Sequence, residues 1–155
     1  MTTRTARRSV PRVGKEPRHR AREAAVQMLY QWEVGRSPMP DVVQTFWLHD
    51  RPATASLADA HRSFAEKLAT GVVDTVGSLD PVIIEAAEHW RIERMNVMDR
   101  LILRLAVYEF LHEPATPSRV IINEALELAR TFSNDDSVRF VNGILDAIRH
   151  RLERE

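Results

Sequence analysis

At 155 residues and 44% hydrophobic content, the chain suits a single domain and can fill a core. It has no cysteine, which excludes disulfides and thiolate metal sites, and its longest apolar runs, such as 101–103 and 120–122, are far too short to span a bilayer. The formal net charge of zero hides a split: residues 1–22 hold eight basic groups against the single acid Glu16, a net of +7, and the rest of the chain carries −7.

Residues 1–17 have few apolar groups and contain Pro11, Gly14 and Pro17. They bury too little surface to offset chain entropy and read as a disordered basic arm. Such an arm seeks phosphates or anionic membranes, unless it is only a solvated tail. It is Arg-rich and acid-free before Glu16, as a mitochondrial transit peptide would be, but Pro11 and the lack of an apolar stripe argue against that. No apolar segment follows that would make a signal peptide. The absence of cysteine fits a reducing cytoplasm, which is the expected location.

A folded unit is expected over 18–155. Ala21, Ala24, Ala25, Met28, Leu29 and Trp32 form one face of a first amphipathic helix, stopped by Gly35 and Pro38. Asp41 is expected to cap a short helix with Val42, Val43, Phe46 and Trp47, followed by a polar loop near 49–56. Leu57, Phe64, Leu68, Val72 and Val76 give a third stripe, closed by Gly77. Asp80-Pro81 reads as a fresh helix start, a cap followed by proline. Residues 97–111 are apolar nearly all round, the mark of a helix at the centre of a bundle. Ser118 is expected to cap the next helix, and 133–135 form a break before a last stripe from Val138 to Leu152. No stretch alternates as a half-buried strand does. The expected fold is all-α, a single compact bundle of about seven helices.

Signatures of catalysis are missing. The five glycines are scattered, with no phosphate-binding loop. His19, His49, His61, His89, His112 and His150 show no metal-ligand spacing, and no cofactor is expected. No serine stands in a nucleophile elbow, and Asp135-Asp136 are explained as partners of a helix dipole.

Two segments point to binding. Arg18, His19, Arg20 and Arg22 crowd the start of the first helix, where cations oppose the dipole and one another. RNA phosphates would relieve that repulsion; a helix end fraying into a basic tail is the plainer reading. In the last helix, Phe140 is offset from Val138 and Val141 by about 200° and 100°. It lies either at the edge of the core or outside it, where beside Arg139 it would offer a stacking platform for a base. Gly143 in that helix costs about 1 kcal/mol relative to alanine, which close helix approach would explain.

The segments 20–30 (RAREAAVQMLY), 122–129 (INEALELA) and 140–146 (FVNGILD), with the stretch 100–109, resemble those of the NusB family of transcription antitermination factors. The likeness runs from about Arg18 to Leu152. It is shared in part by the helical domain of a group of ribosomal RNA cytosine methyltransferases. It implies a seven-helix bundle that binds single-stranded boxA RNA together with NusE, a ribosomal protein, within an RNA polymerase antitermination complex. On that basis the RNA side comprises Arg18, His19, Arg20, Arg22, Tyr30, Asp136, Arg139 and Phe140. The partner side comprises Asp99, Arg100 and Leu103. His19 stands where the family often has arginine, which suggests a contact that titrates near neutrality.

Three functions follow: a non-enzymatic RNA- and protein-binding factor, the helical domain of an RNA methyltransferase, or a dimerisation module. The first is the expectation. The chain ends soon after its last helix without a glycine-rich cofactor segment, and a bare dimerisation module leaves the +7 arm unexplained. A homodimer is compatible with the first reading.

Overall fold

The structure is a computed structural model that describes residues 16–49, 57–88 and 90–155. The arm expected at 1–17 therefore lies outside the described residues except for Glu16 and Pro17, as does most of the loop expected near 49–56. Among the described residues there are six α-helices, a short 3-10 turn and no strand.

Helix α1 spans Pro17–Glu33, α2 Met39–Phe46, α3 Asp59–Ala86, α4 Val97–His112, α5 Ser118–Phe132 and α6 Asp135–Arg151, with the 3-10 turn at Ile92–Arg94. Helix α4 is the axis of the bundle. Every residue from Leu101 to Phe110 is buried, as a helix apolar on most sides must be. Helices α1, α3, α5 and α6 pack around it. The core joins Met28 and Leu29 of α1, Phe46 of α2, Leu68 and Ile83 of α3, Ile121 and Leu128 of α5, and Leu145 of α6. Each such side chain contributes about 1.5–3 kcal/mol by leaving water.

Several expected boundaries differ. Helix α3 runs unbroken through Gly77 and Asp80-Pro81, so two expected helices are one. Pro81 removes a single hydrogen bond near the end of the helix, and the residue four back, whose carbonyl faces the ring, is Gly77. The Asp80 carboxylate does not cap; it takes two hydrogen bonds from Arg104, at 2.8 and 2.9 Å. Asp41 and Ser118 also lie inside their helices, after Pro38 and Pro117 at the cap positions, and neither makes a side-chain cap. Asparagines cap instead. The Asn96 side chain accepts from the amides of Met98 and Asp99 at the start of α4, and Asn134 from that of Ser137 at the start of α6.

The segment after α6 is tied back to the centre. Arg154 donates to the backbone oxygens of Phe110 and Glu113 and to Ser118 Oγ, at 3.0, 2.9 and 2.7 Å. It thereby satisfies carbonyls that the end of α4 leaves open.

Close approach is not the reason for Gly143, where an added Cβ would meet nothing within 4 Å. Close approach is found instead at Gly71 of α3, where a Cβ would overlap the Tyr108 ring of α4. Gly143→Ala is therefore expected to stabilise the protein by about 1 kcal/mol, read as a higher urea midpoint at unchanged slope. A loss of stability would show that the glycine has a packing role after all.

Candidate nucleic-acid interface

Helix α1 begins with Pro17 at its first turn, after Glu16, with no side-chain cap and no acid in that turn. Its four basic residues separate by burial. Arg18 is exposed, and its guanidinium lies 4.1 Å from the Phe64 ring centroid of α3. Arg20 is half-buried. His19 and Arg22 are buried, at 7% and 2% exposure.

Both buried cations are held by the protein's own carboxylates. Arg22 donates from Nε and Nη2 to the two oxygens of Glu109 in α4, each at 2.8 Å. This planar, two-bond pairing is the strongest geometry available to arginine. His19 Nδ1 donates to Glu124 of α5 at 2.7 Å, and Nε2 faces Glu23 at 3.2 Å. Hydrogen bonds to Glu124 and then Glu23 outweigh burial and raise the His19 pKa from 6.5 to about 9. The expected titration near neutrality is thus moved upward, and the imidazolium is a fixed charge there. Arg22 and His19 act as ties between helices, and neither side chain offers a surface to phosphate.

A second ionic group closes the other end of α1. Glu33 accepts from Arg100 at 2.8 Å and from Arg104 at 3.4 Å, and Arg104 also holds Asp80. Arg100 donates further to the backbone oxygens of Ile92 and Met95. Of the three residues expected on the partner side, Arg100 is largely spent inside the molecule. Leu103 is fully buried in the core and presents no surface. Asp99 is buried at the start of α4, where its Oδ2 accepts from Ser137 Oγ at 3.0 Å. Burial pushes its carboxyl up, opposed by the hydroxyls of Ser137 and Ser133.

The remaining expected residues collect at the α4 N-terminal end. Arg139 and Asp136 are exposed, paired with each other one turn apart on α6. Phe140 is half-buried, packed on the core and edge-to-face with Trp90 at 5.2 Å between centroids. Of the two readings of Phe140, the core edge is the one found. Trp90, whose helical spacing after Ile83 and Ala87 reads as a continuation of the stripe that follows Asp80-Pro81, is instead 56% exposed, because α3 ends at Ala86 before reaching it. Tyr30 is exposed and, with Gln27, Gln31, Met98 and Phe132, lines a groove of about 340 Å³. On α1, Gln27 and Gln31 each fall within about 20° of Arg20 at helical pitch, a polar stripe leading from the basic end toward this groove. Arg18 and Tyr30, twelve residues apart, are separated by roughly 18 Å along the helix. The described residues therefore offer two zones joined by a stripe, and no single basic patch among them.

No group of three or more metal-binding side chains occurs among the described residues, and none of the described helices is long and apolar enough to cross a membrane.

The profile of the NusB family matches residues 19–150. The transcription antitermination protein NusB of Koribacter versatilis is 43% identical, with 89% of this chain and 92% of that protein aligned. The protein of the same name from Solibacter usitatus is also 43% identical, over 87% and 90%. Among solved structures, NusB of T. maritima superposes with a TM-score of 0.77 at 32% identity, covering 87% of this chain and 92% of that one. A crystal structure of the antitermination factors NusB and NusE with double-stranded RNA contains a chain of the same fold, with a TM-score of 0.70 at 23% identity, covering 87% and 97%.

Proposed function

From the membership of this chain in the NusB family, we propose that it is a transcription antitermination factor that binds boxA-type single-stranded RNA together with NusE and works by binding, without catalysis of its own, in the cytoplasm. The relatives are antitermination proteins, not methyltransferases, which favours the first of the functions raised by the sequence. The observation that carries the RNA reading is the sorting of cations on α1. With His19 and Arg22 neutralised internally, Arg18 is left as a solvent-facing guanidinium at the helix entrance, directly after the arm that holds five further basic residues. The RNA face then consists of Arg18, Arg20, Tyr30, Arg139 and Phe140, with Asp136 orienting Arg139. Phosphates are met by the arginines and bases by the aromatic rings. The NusE partner is expected beside the Asp99 end of α4.

The test is the salt dependence of RNA binding. Arg18→Ala with Arg139→Ala is expected to lower the log–log slope against salt by about 0.7 for each phosphate the protein no longer neutralises, with unchanged thermal stability. An unchanged slope in filter binding would remove both residues from the RNA face. Arg22 is unsuitable for this experiment, because its loss unbalances the core.

Phe140→Leu gives an independent check. It keeps most of the apolar volume, so its cost in stability is under about 1.5 kcal/mol. It removes the ring, so RNA affinity is expected to fall by about 1–3 kcal/mol if a base stacks there. Normal affinity in a folded Phe140→Leu protein would leave the ring with packing alone.

A further inference from the structure

A cleft of about 350 Å³ opens where the N-termini of α4 and α6 meet the 3-10 turn, within the size range of about 300–1,000 Å³ typical of small-molecule sites. Trp90, Phe140 and Met95 give it apolar walls, Asp99 belongs to its floor, and the exposed Arg94 stands at its rim. The two aromatic rings pack edge-to-face on each other, at 73° and 5.2 Å between centroids, and so form one continuous apolar wall. Asp99 is 5% exposed. Its Oδ2 is used by Ser137, and its Oδ1 has no hydrogen-bond partner among the described residues. A buried acceptor left open in this way is costly, and the residue that carries it lines the cleft.

We propose that this cleft receives one unstacked nucleobase of the bound RNA, with guanine preferred, its ring against Trp90 and Phe140 and its N–H edge on Asp99. The proposal rests on the RNA-binding reading above and names what one part of that surface recognises. Guanine alone among the four bases presents two adjacent donors, N1–H and N2–H, on its pairing edge, which suits a carboxylate. Uracil offers one N–H between two carbonyl oxygens that an anion repels. Cytosine and adenine set a single amine beside an acceptor nitrogen. Aromatic walls supply stacking that every base accepts, so the discrimination falls to Asp99. Arg94 at the rim is placed for the phosphate that follows. The burial that raises the Asp99 carboxyl is the same burial that would strengthen a donor bond to its ionised form.

The test uses fluorescence anisotropy on uridine nonamers that carry guanosine, inosine, adenosine, cytidine or uridine at the central position. The guanosine oligomer is expected to bind tightest, by roughly tenfold over the all-uridine one, with inosine between them because it lacks the 2-amino group. That preference is expected to vanish in Asp99→Asn and in Trp90→Ala. If Asp99→Asn fails to fold, the exposed Trp90 makes Trp90→Ala decisive alone. Equal affinities for all oligomers overturn the proposal and leave the RNA reading standing. A guanosine preference that survives both substitutions also overturns it. No binding of any oligomer at low salt sinks the RNA reading itself. Unchanged RNA binding with lost NusE binding in Trp90→Ala would give the cleft to a protein side chain instead.

Discussion

Glu109→Ala is expected to destabilise the protein by about 3–5 kcal/mol, a large share of the roughly 5–15 kcal/mol that holds a typical domain together. The Arg22 guanidinium is 2% exposed and Glu109 equally so, and the two exchange a pair of 2.8 Å hydrogen bonds across 87 positions of sequence. Removing the carboxylate strands a cation among apolar side chains. Glu124, 3.7 Å away and already engaged by His19, is poorly placed to replace it. Urea denaturation measures the loss. Arg22→Met with Glu109→Leu is expected to recover most of it, since a buried pair is often no better than apolar groups of similar volume. An exposed arginine one turn earlier provides the contrast: Arg18→Ala should leave the midpoint nearly unchanged. If Glu109→Ala costs under about 1 kcal/mol, the site is wetter than the structure shows.

Thermal stability is expected to decline as pH rises from about 6.5 to about 9 because of His19. Its imidazole binds the proton more tightly in the folded state, with a pKa of about 9 against 6.5 unfolded. The contribution is therefore complete below about pH 6.5, falls through the interval and is gone above about 9. It amounts to on the order of 3 kcal/mol. Glu124, held below its usual value because His19 outweighs burial, loses the same interaction as pH falls through the acidic range, so the two contributions are one and are not summed. Melting curves of wild type and His19→Gln from about pH 6 to about 10 should converge at the alkaline end. Parallel curves would show that His19 is not the titrating group.

The fold was legible in the sequence where apolar spacing was regular. The stripe from Ala21 to Leu29 and the nearly all-round apolarity of 101–108, interrupted only by Arg104, placed α1 and the central helix, because burial on one side or on all sides leaves a different spacing. Asp80-Pro81 misled because the same dipeptide opens a helix or passes through its last turns, depending on where the aspartate goes. Here Arg104 takes it. The RNA-facing residues were legible only as a group. That Arg18 faces water while Arg22 does not depends on Glu109, far away in the chain. One clue was present: Arg22 falls on the side of α1 that carries Ala25 and Leu29, and a charge on an apolar stripe must find a partner. The cleft at Asp99 had no signal of this kind, because it is assembled from the starts of two helices and a turn that only the packing brings together.

The tie made by Arg154 bears on how the molecule comes into being. A chain synthesised from its N-terminus has the central helix and all of its helical neighbours made before this residue emerges. Until then the carbonyls of Phe110 and Glu113 must be served by water. The core residues Leu145 and Ile148 of α6 come only nine and six positions before it. The end of the central helix is thus sealed late, together with the docking of the last helix, and that seam stays adjustable in a growing chain.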